Sequence, residues 1–144
     1  MIQTKLKGMG VALITPFKED ESVDYDALIR MVDYLLQNNA DFLCVLGTTA
    51  ETPTLTEEEK KTIKKMVIDR VNGRIPILLG VGGNNTRAIV ETLKNDDFTG
   101  VDAILSVVPY YNKPSQEGII SIIKRLRKLR SSPSYCIMFR DVRG

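Results

Sequence analysis

No histidine occurs anywhere in the 144 residues. That removes the commonest general base and the commonest protein ligand for transition metals, so neither a nucleophile–imidazole pair nor a histidine-bound zinc can be built. Cysteine is nearly as scarce: Cys44 and Cys136 stand far apart with no Cys-x-x-Cys spacing, which leaves no thiolate metal site in the sequence. No apolar run approaches the roughly 20 residues of a membrane span. Met1 to Lys7 carries lysines without the uninterrupted apolar stretch of a secretory leader behind it. A dinucleotide fingerprint, Gly-x-Gly-x-x-Gly, is missing after the first apolar run, as is a phosphate loop ending in Gly-Lys-Ser/Thr. The glycine-rich stretch from Val81 to Asn85 reads instead as a tight turn. The expectation is a cytoplasmic protein without metal or cofactor, away from membranes.

Apolar residues make up 43% of the chain, enough for one domain with a buried core. The net charge of +2 hides an asymmetry: residues 1–119 hold 13 Lys/Arg against 17 Asp/Glu, whereas residues 120–144 hold seven basic residues and only Asp141. Short apolar runs alternate with amphipathic stretches. Gly10 to Ile14 reads as a buried strand ending at Pro16. Asp24 caps a helix whose Leu28, Met31, Leu35 and Leu36 recur at helical spacing. Phe42 to Leu46 is the next strand, and Thr56 with Glu59 forms a capping box for a helix carrying Ile63, Met66 and Val67 on one face. Ile75 to Val81, Thr86 to Leu93 and Ala103 to Val108 read as strand, helix and strand.

Near-continuous apolar strands separated by helices predict an α/β fold with a parallel sheet. Without nucleotide loops, the (β/α)₈ TIM barrel is favoured over a doubly wound sheet, and about four βα units make the N-terminal half of a barrel whose full length is roughly 250 residues. Such a half is expected to leave its first and fourth strands as open edges, with the inner apolar face of the sheet exposed and no packing helix after residue 119 to relieve it.

Two segments follow strand ends, where barrel loops carry active sites. They are Gly47-Thr48-Thr49-Ala50-Glu51-Thr52-Pro53-Thr54-Leu55 and Pro109-Tyr110-Tyr111-Asn112-Lys113-Pro114-Ser115-Gln116-Glu117-Gly118. In the first, Gly47 permits a close backbone approach while two hydroxyls and adjacent N–H groups offer donors to a carboxylate. Taken alone, a turn and helix cap account for it, and packing accounts for the paired tyrosines. Together with Gly8 to Phe17 and Gly73 to Gly82, however, the segments resemble the dihydrodipicolinate synthase family from residue 8 to about residue 119. Sialic acid lyases share that fold but usually carry serine at the first threonine position.

The resemblance implies a class I aldolase. A lysine on the sixth barrel strand forms an imine with pyruvate, and the derived enamine condenses with aspartate semialdehyde on the route to lysine and cell-wall precursors. It assigns Thr48 and Tyr111 to a proton relay, with Tyr111 reaching into a neighbouring subunit, and Thr49 to the pyruvate carboxylate. A homotetramer is thereby implied. Thr52, Pro53, Asn84, Ala88 and Tyr110 fall at the family's lysine feedback site, but Ala88 stands where an acidic residue would meet the effector's ammonium, which argues against that regulation. The remaining readings are an N-acetylneuraminate lyase type of aldolase, a half-barrel that works by pairing with another chain, and a non-catalytic half-barrel with a basic nucleic-acid-binding tail. The net acidic body speaks against the last.

After Ile119 the family expects a helix and a strand ending in Tyr-Asn-Val-Pro-Gly-Arg-Thr-Gly, but the chain runs into a basic segment. Residues 120–144 read as an out-of-frame tail: shifting the register by one base lets the codons of Ser134 to Gly144 spell Leu-Leu-Tyr-Asn-Val-Pro-Gly-Arg-Thr-Gly. One position allows no choice, because the G ending the Met138 codon and the TT opening the Phe139 codon make valine. Residues 1–119 are accordingly one unit and 120–144 another. The relay's second tyrosine and the imine-forming lysine lie outside what this frame encodes. Genomic sequence around codon 119 should show an open frame in the shifted register, with tyrosine where Ile137 stands and arginine where Val142 stands. Codons spelling anything else would make the basic tail a feature in its own right.

Overall fold

The computed structural model describes residues 6–129 and, as backbone, the strand Ser134–Met138. Strands and helices alternate as β1 (Gly10–Ala12), α1 (Tyr25–Gln37), β2 (Phe42–Val45), α2 (Glu57–Val71), β3 (Ile77–Gly80), α3 (Thr86–Asn95), β4 (Ala103–Val107), α4 (Gln116–Arg127) and β5 (Ser134–Met138). The strands pair in chain order and every pair is parallel. Parallel neighbours cannot be joined by a hairpin, and each helix is the crossover that joins them. The expected α/β succession of four βα units is present, with strand ends within two residues of those read from the sequence.

Helix starts follow side-chain chemistry. The Asp24 carboxylate accepts from the Ala27 N–H at 2.8 Å. In the capping box, the Glu59 N–H donates to Thr56 Oγ1 at 3.2 Å and the Thr56 N–H donates to Glu59 Oε2 at 2.8 Å, satisfying two otherwise orphaned donors. The Thr56 N–H and then its hydroxyl, both donating to Glu59 Oε2, hold the Glu59 carboxyl below its ordinary pKa. Asn85 and Ser115 cap α3 and α4 in the same manner. Between α1 and α2 the Arg70 guanidinium grips Asp33 with two nitrogens and lowers its pKa, chiefly through that hydrogen bonding.

The main core lies between sheet and helices. Parallel register aligns Val45, Leu79 and Ile104 in one row, and all three pack in a single cluster with Leu28 and Val32 of α1, Val67 of α2, Val90 of α3 and Leu126 of α4. The opposite face, which would line a closed barrel, holds Cys44, Leu78, Ala103 and Leu105 with Leu6 and Phe42 against them.

Four expectations are corrected. The inner face is not laid bare: Cys44, Leu78 and Leu105 are only 7–8% exposed, because Leu6 and Phe42 fold over them. The Phe42 ring occupies the space above Gly10 so closely that a Cβ there would lie 2.0 Å from it. The first strand is not buried: Gly10 and Ala12 are exposed and Val11 half-buried, because β1 has a neighbour on one side only among the described residues. The fourth strand is not an edge, since β4 pairs with β5 over five residues from Ala103↔Ser134 to Val107↔Met138. And α4 does pack, through Leu126 with Ile122 and Leu129, while Arg125 and Arg127 stay in solvent. Arg130 and residues 139–144 lie outside the described residues.

Two outcomes are expected. Thr56→Ala should lower the free energy of unfolding by about 1 kcal/mol, the usual worth of such a cap, read from the urea midpoint at fixed protein concentration. Because β1 and β5 are open edges among the described residues, the 144-residue chain should sediment at micromolar concentration as a species larger than its 16.1 kDa mass. A monodisperse monomer with a cooperative thermal transition would contradict this.

Candidate functional site

Because all strands point one way, their C-terminal ends share one edge of the sheet, and the loops leaving β2, β3 and β4 meet there. The chain leaves β2 through Leu46, which sits at φ 54°, a left-handed conformation that costs a residue with a side chain on the order of 1–3 kcal/mol. The turn aims the Leu46 carbonyl at β3, where only the missing side chain of Gly80 admits it: a Cβ there would stand 1.9 Å from that oxygen.

Gly47 then opens a 3-10 turn, Thr48–Ala50, and a second, Thr52–Thr54, follows with Glu51 at φ 53° as the joint. The Ala50 N–H donates to the Gly47 carbonyl and the Glu51 N–H to that of Thr48, each at 3.1 Å. Ala50 is 2% exposed, so its methyl is the foot of the turn, whereas Thr48 and Thr49 stand exposed on it. From the loop after β1, buried Thr15 donates through Oγ1 to the Ala50 carbonyl at 2.8 Å.

The second segment leaves β4 through buried Pro109. Tyr111 is 91% exposed and, like Lys113, has a positive φ. The Asn112 amide donates to the Asn84 carbonyl at 3.3 Å, tying this loop to the one after β3. Between the two segments lies a cavity of about 480 Å³ lined by Thr48 on one side and Tyr111 on the other, floored by Gly80, Leu105 and Val107. Lys113 is the one charged residue in its lining. The expected site residues therefore divide: Thr48 and Tyr111 border the same cavity, while Thr49, one residue on, does not line it.

A second hollow of about 280 Å³ lies on the helix side of the same loops. Thr52, Pro53, Asn84, Ala88 and Tyr110 all line it, so five residues grouped only by resemblance are grouped in space. Its charged residues are already engaged, Lys60 with Glu57 at 2.9 Å, Lys61 with Glu58 at 3.0 Å and Lys64 with Asp96 at 3.5 Å.

Sequence reasoning overlooked Thr15 and Leu46. The Thr15-Pro16 pair at the end of an apolar run was a visible sign of a turn, but its bond to a carbonyl 35 residues away has no sequence signal. The left-handed φ of Leu46 has none either. Among the described residues no helix is long and apolar enough to cross a membrane.

Comparison with known proteins supplies the lineage. The chain is 74% identical over 133 residues to the 4-hydroxy-tetrahydrodipicolinate synthase of Phocaeicola vulgatus, a match covering 92% of this chain and 45% of that protein. Among solved structures, a dihydrodipicolinate synthase from Thermotoga maritima superposes with a TM-score of 0.85 at 35% identity, over 92% of this chain and 44% of that one. A structure described as the first monomeric dihydrodipicolinate synthase variant matches at a TM-score of 0.84 and 35% identity, over 94% and 44%. The chain thus spans about 45% of the length of the relatives it matches, and its sheet corresponds to the N-terminal half of their barrel. With residues 5–134 matching the Dihydrodipicolinate synthetase family, the chain belongs to that family.

Proposed function

We propose that this chain is the N-terminal half of a 4-hydroxy-tetrahydrodipicolinate synthase, a lyase-type aldolase condensing pyruvate with aspartate semialdehyde, and that the half alone is inactive. The observation that carries the reading is the cavity at the strand ends lined by Thr48, with Tyr111 exposed at its border where a neighbouring subunit could receive it. It has the size of a small-molecule site and lies on the face where barrels of this kind react.

In the full reaction a lysine amine adds to the pyruvate ketone and expels water. The protonated imine then draws electrons from the methyl group, which loses a proton to give the enamine. The enamine carbon attacks the aldehyde of the second substrate. The amine of that substrate displaces the lysine and closes the ring. Thr48 and a neighbouring subunit's Tyr111 would pass protons along this sequence, with a tyrosine of the restored frame as third member, and Thr49, beside Thr48 but outside the cavity lining of this half, would hold the pyruvate carboxylate. Tyr111 is well placed for an intersubunit role by its exposure, so a homotetramer is the assembly proposed for the whole enzyme, in the cytoplasm.

The lysine is expected on the sixth strand of the barrel, and the described residues supply five strands. Residues 120–144 we assign to a shifted reading frame. α4 crosses the boundary at Ile119 unbroken, and the family match runs on to residue 134, so neither marks it. The assignment rests on the codons. Helical spacing of Ile122, Leu126 and Leu129 is enough for the tail to dock as it stands.

Borohydride reduction of the 144-residue chain with pyruvate should trap no adduct, whereas the gene with one base restored near codon 119 should yield a chain that traps pyruvate on one lysine and consumes aspartate semialdehyde. A specific pyruvate adduct on a lysine of the short chain would show that the nucleophile is misplaced.

A further inference from the structure

Ala50 presents an accounting problem in the turn that carries Thr48 and Thr49. A helix continuing past Ala50 would hand its carbonyl to an N–H further along, but Glu51 swings to φ 53°, and the next N–H groups turn to other oxygens. Thr54 donates to Glu51 at 2.9 Å and Leu55 to Thr52 at 3.3 Å. No backbone N–H among the described residues takes the Ala50 oxygen, and the residue is buried. A buried carbonyl without a donor is costly. The donor is Thr15 Oγ1 at 2.8 Å, on a residue itself 4% exposed.

Thr15 arrives there by a separate route. The Leu13 N–H donates to the Cys44 carbonyl at 2.9 Å, extending the β1–β2 ladder one step beyond the strand, and Pro16 restricts Thr15 to extended backbone. The hydroxyl is thus delivered by the rigid end of the sheet rather than by a free loop. It grips the turn at its foot, two residues from Thr48 and one from Thr49.

We propose that Thr15 is a positioning residue: its hydroxyl bond to the Ala50 carbonyl fixes the turn so that the Thr48 and Thr49 groups are set for a carboxylate. The ligand half of this proposal rests on the pyruvate reading given above. The anchoring half rests on the bond alone.

Hydrogen–deuterium exchange of the 144-residue chain, with and without pyruvate, separates the two. Thr15→Val keeps the shape and removes the donor, and Thr15→Ser keeps the donor and removes the methyl. In Thr15→Val, amides of residues 47–55 should exchange about tenfold faster, the equivalent of one buried hydrogen bond, while the strands 42–45 and 77–80 exchange as before. Pyruvate should slow exchange of the 47–55 segment in the parent chain and in Thr15→Ser but not in Thr15→Val. Parent-like exchange in Thr15→Val would overturn the proposal. So would a Thr15→Ser turn looser than the parent's, since the methyl and not the hydroxyl would then be the anchor, and this comparison stands even if Thr15→Val fails to fold. If pyruvate leaves the parent chain unchanged, the ligand half falls, and the exchange rates without ligand still decide the anchoring.

Discussion

The row Val45–Leu79–Ile104 is the contact on which the rest of the structure depends. These three side chains are 1%, 3% and 0% exposed and lie side by side because the ladder is parallel and in register. Each contributes on the order of 1.5–3 kcal/mol by leaving water, and together they give the helices a common apolar surface. A slip of one residue in any of these strands would turn its members to the other face. Parallel direction is also what brings the strand ends to one edge, so the same row that holds the core decides where the loops of the candidate site can meet.

Much of this was legible in the residues. Regular apolar spacing announced α1 to α3, and side-chain oxygens at Asp24 and Thr56 marked two helix starts because a cap is a local bond between near neighbours. Continuous apolar runs announced β2, β3 and β4, which are buried on both faces. β1 is less buried than its apolar run suggests: Gly10 meets the Phe42 ring but Ala12 stays exposed, because no strand among the described residues pairs with its other edge. β5 has no counterpart in the expectation because residues 120–144 read as out of frame, and the docking of α4 has none because the expectation set Arg125 and Arg127 on its packing face. They sit on the solvent side while Leu126 alone goes 3% exposed into the core.

For the site, the motif placed Thr48 and Tyr111 correctly at the strand ends, since loops that follow parallel strands must lie there. It gave the two threonines different roles but not their different relations to the cavity, which depend on a 3-10 turn and on the direction of Glu51. Nor could it find Thr15, which matters through one hydrogen bond across 35 residues of chain. Long-range polar contacts leave no periodic trace, so they are the part of a site that a sequence conceals longest.

Leu46 and Gly80 are bound to each other in a further sense. The carbonyl of one fills the place where the other would carry a side chain, so no side chain can enter at 80 unless the backbone at 46 moves. A side chain at 80 would require the backbone at 46 to relax out of its left-handed turn, and that relaxation would carry the threonine loop away from the strand ends. Variation at two positions that bear no reactive group is thereby yoked to the shape of the mouth of the barrel.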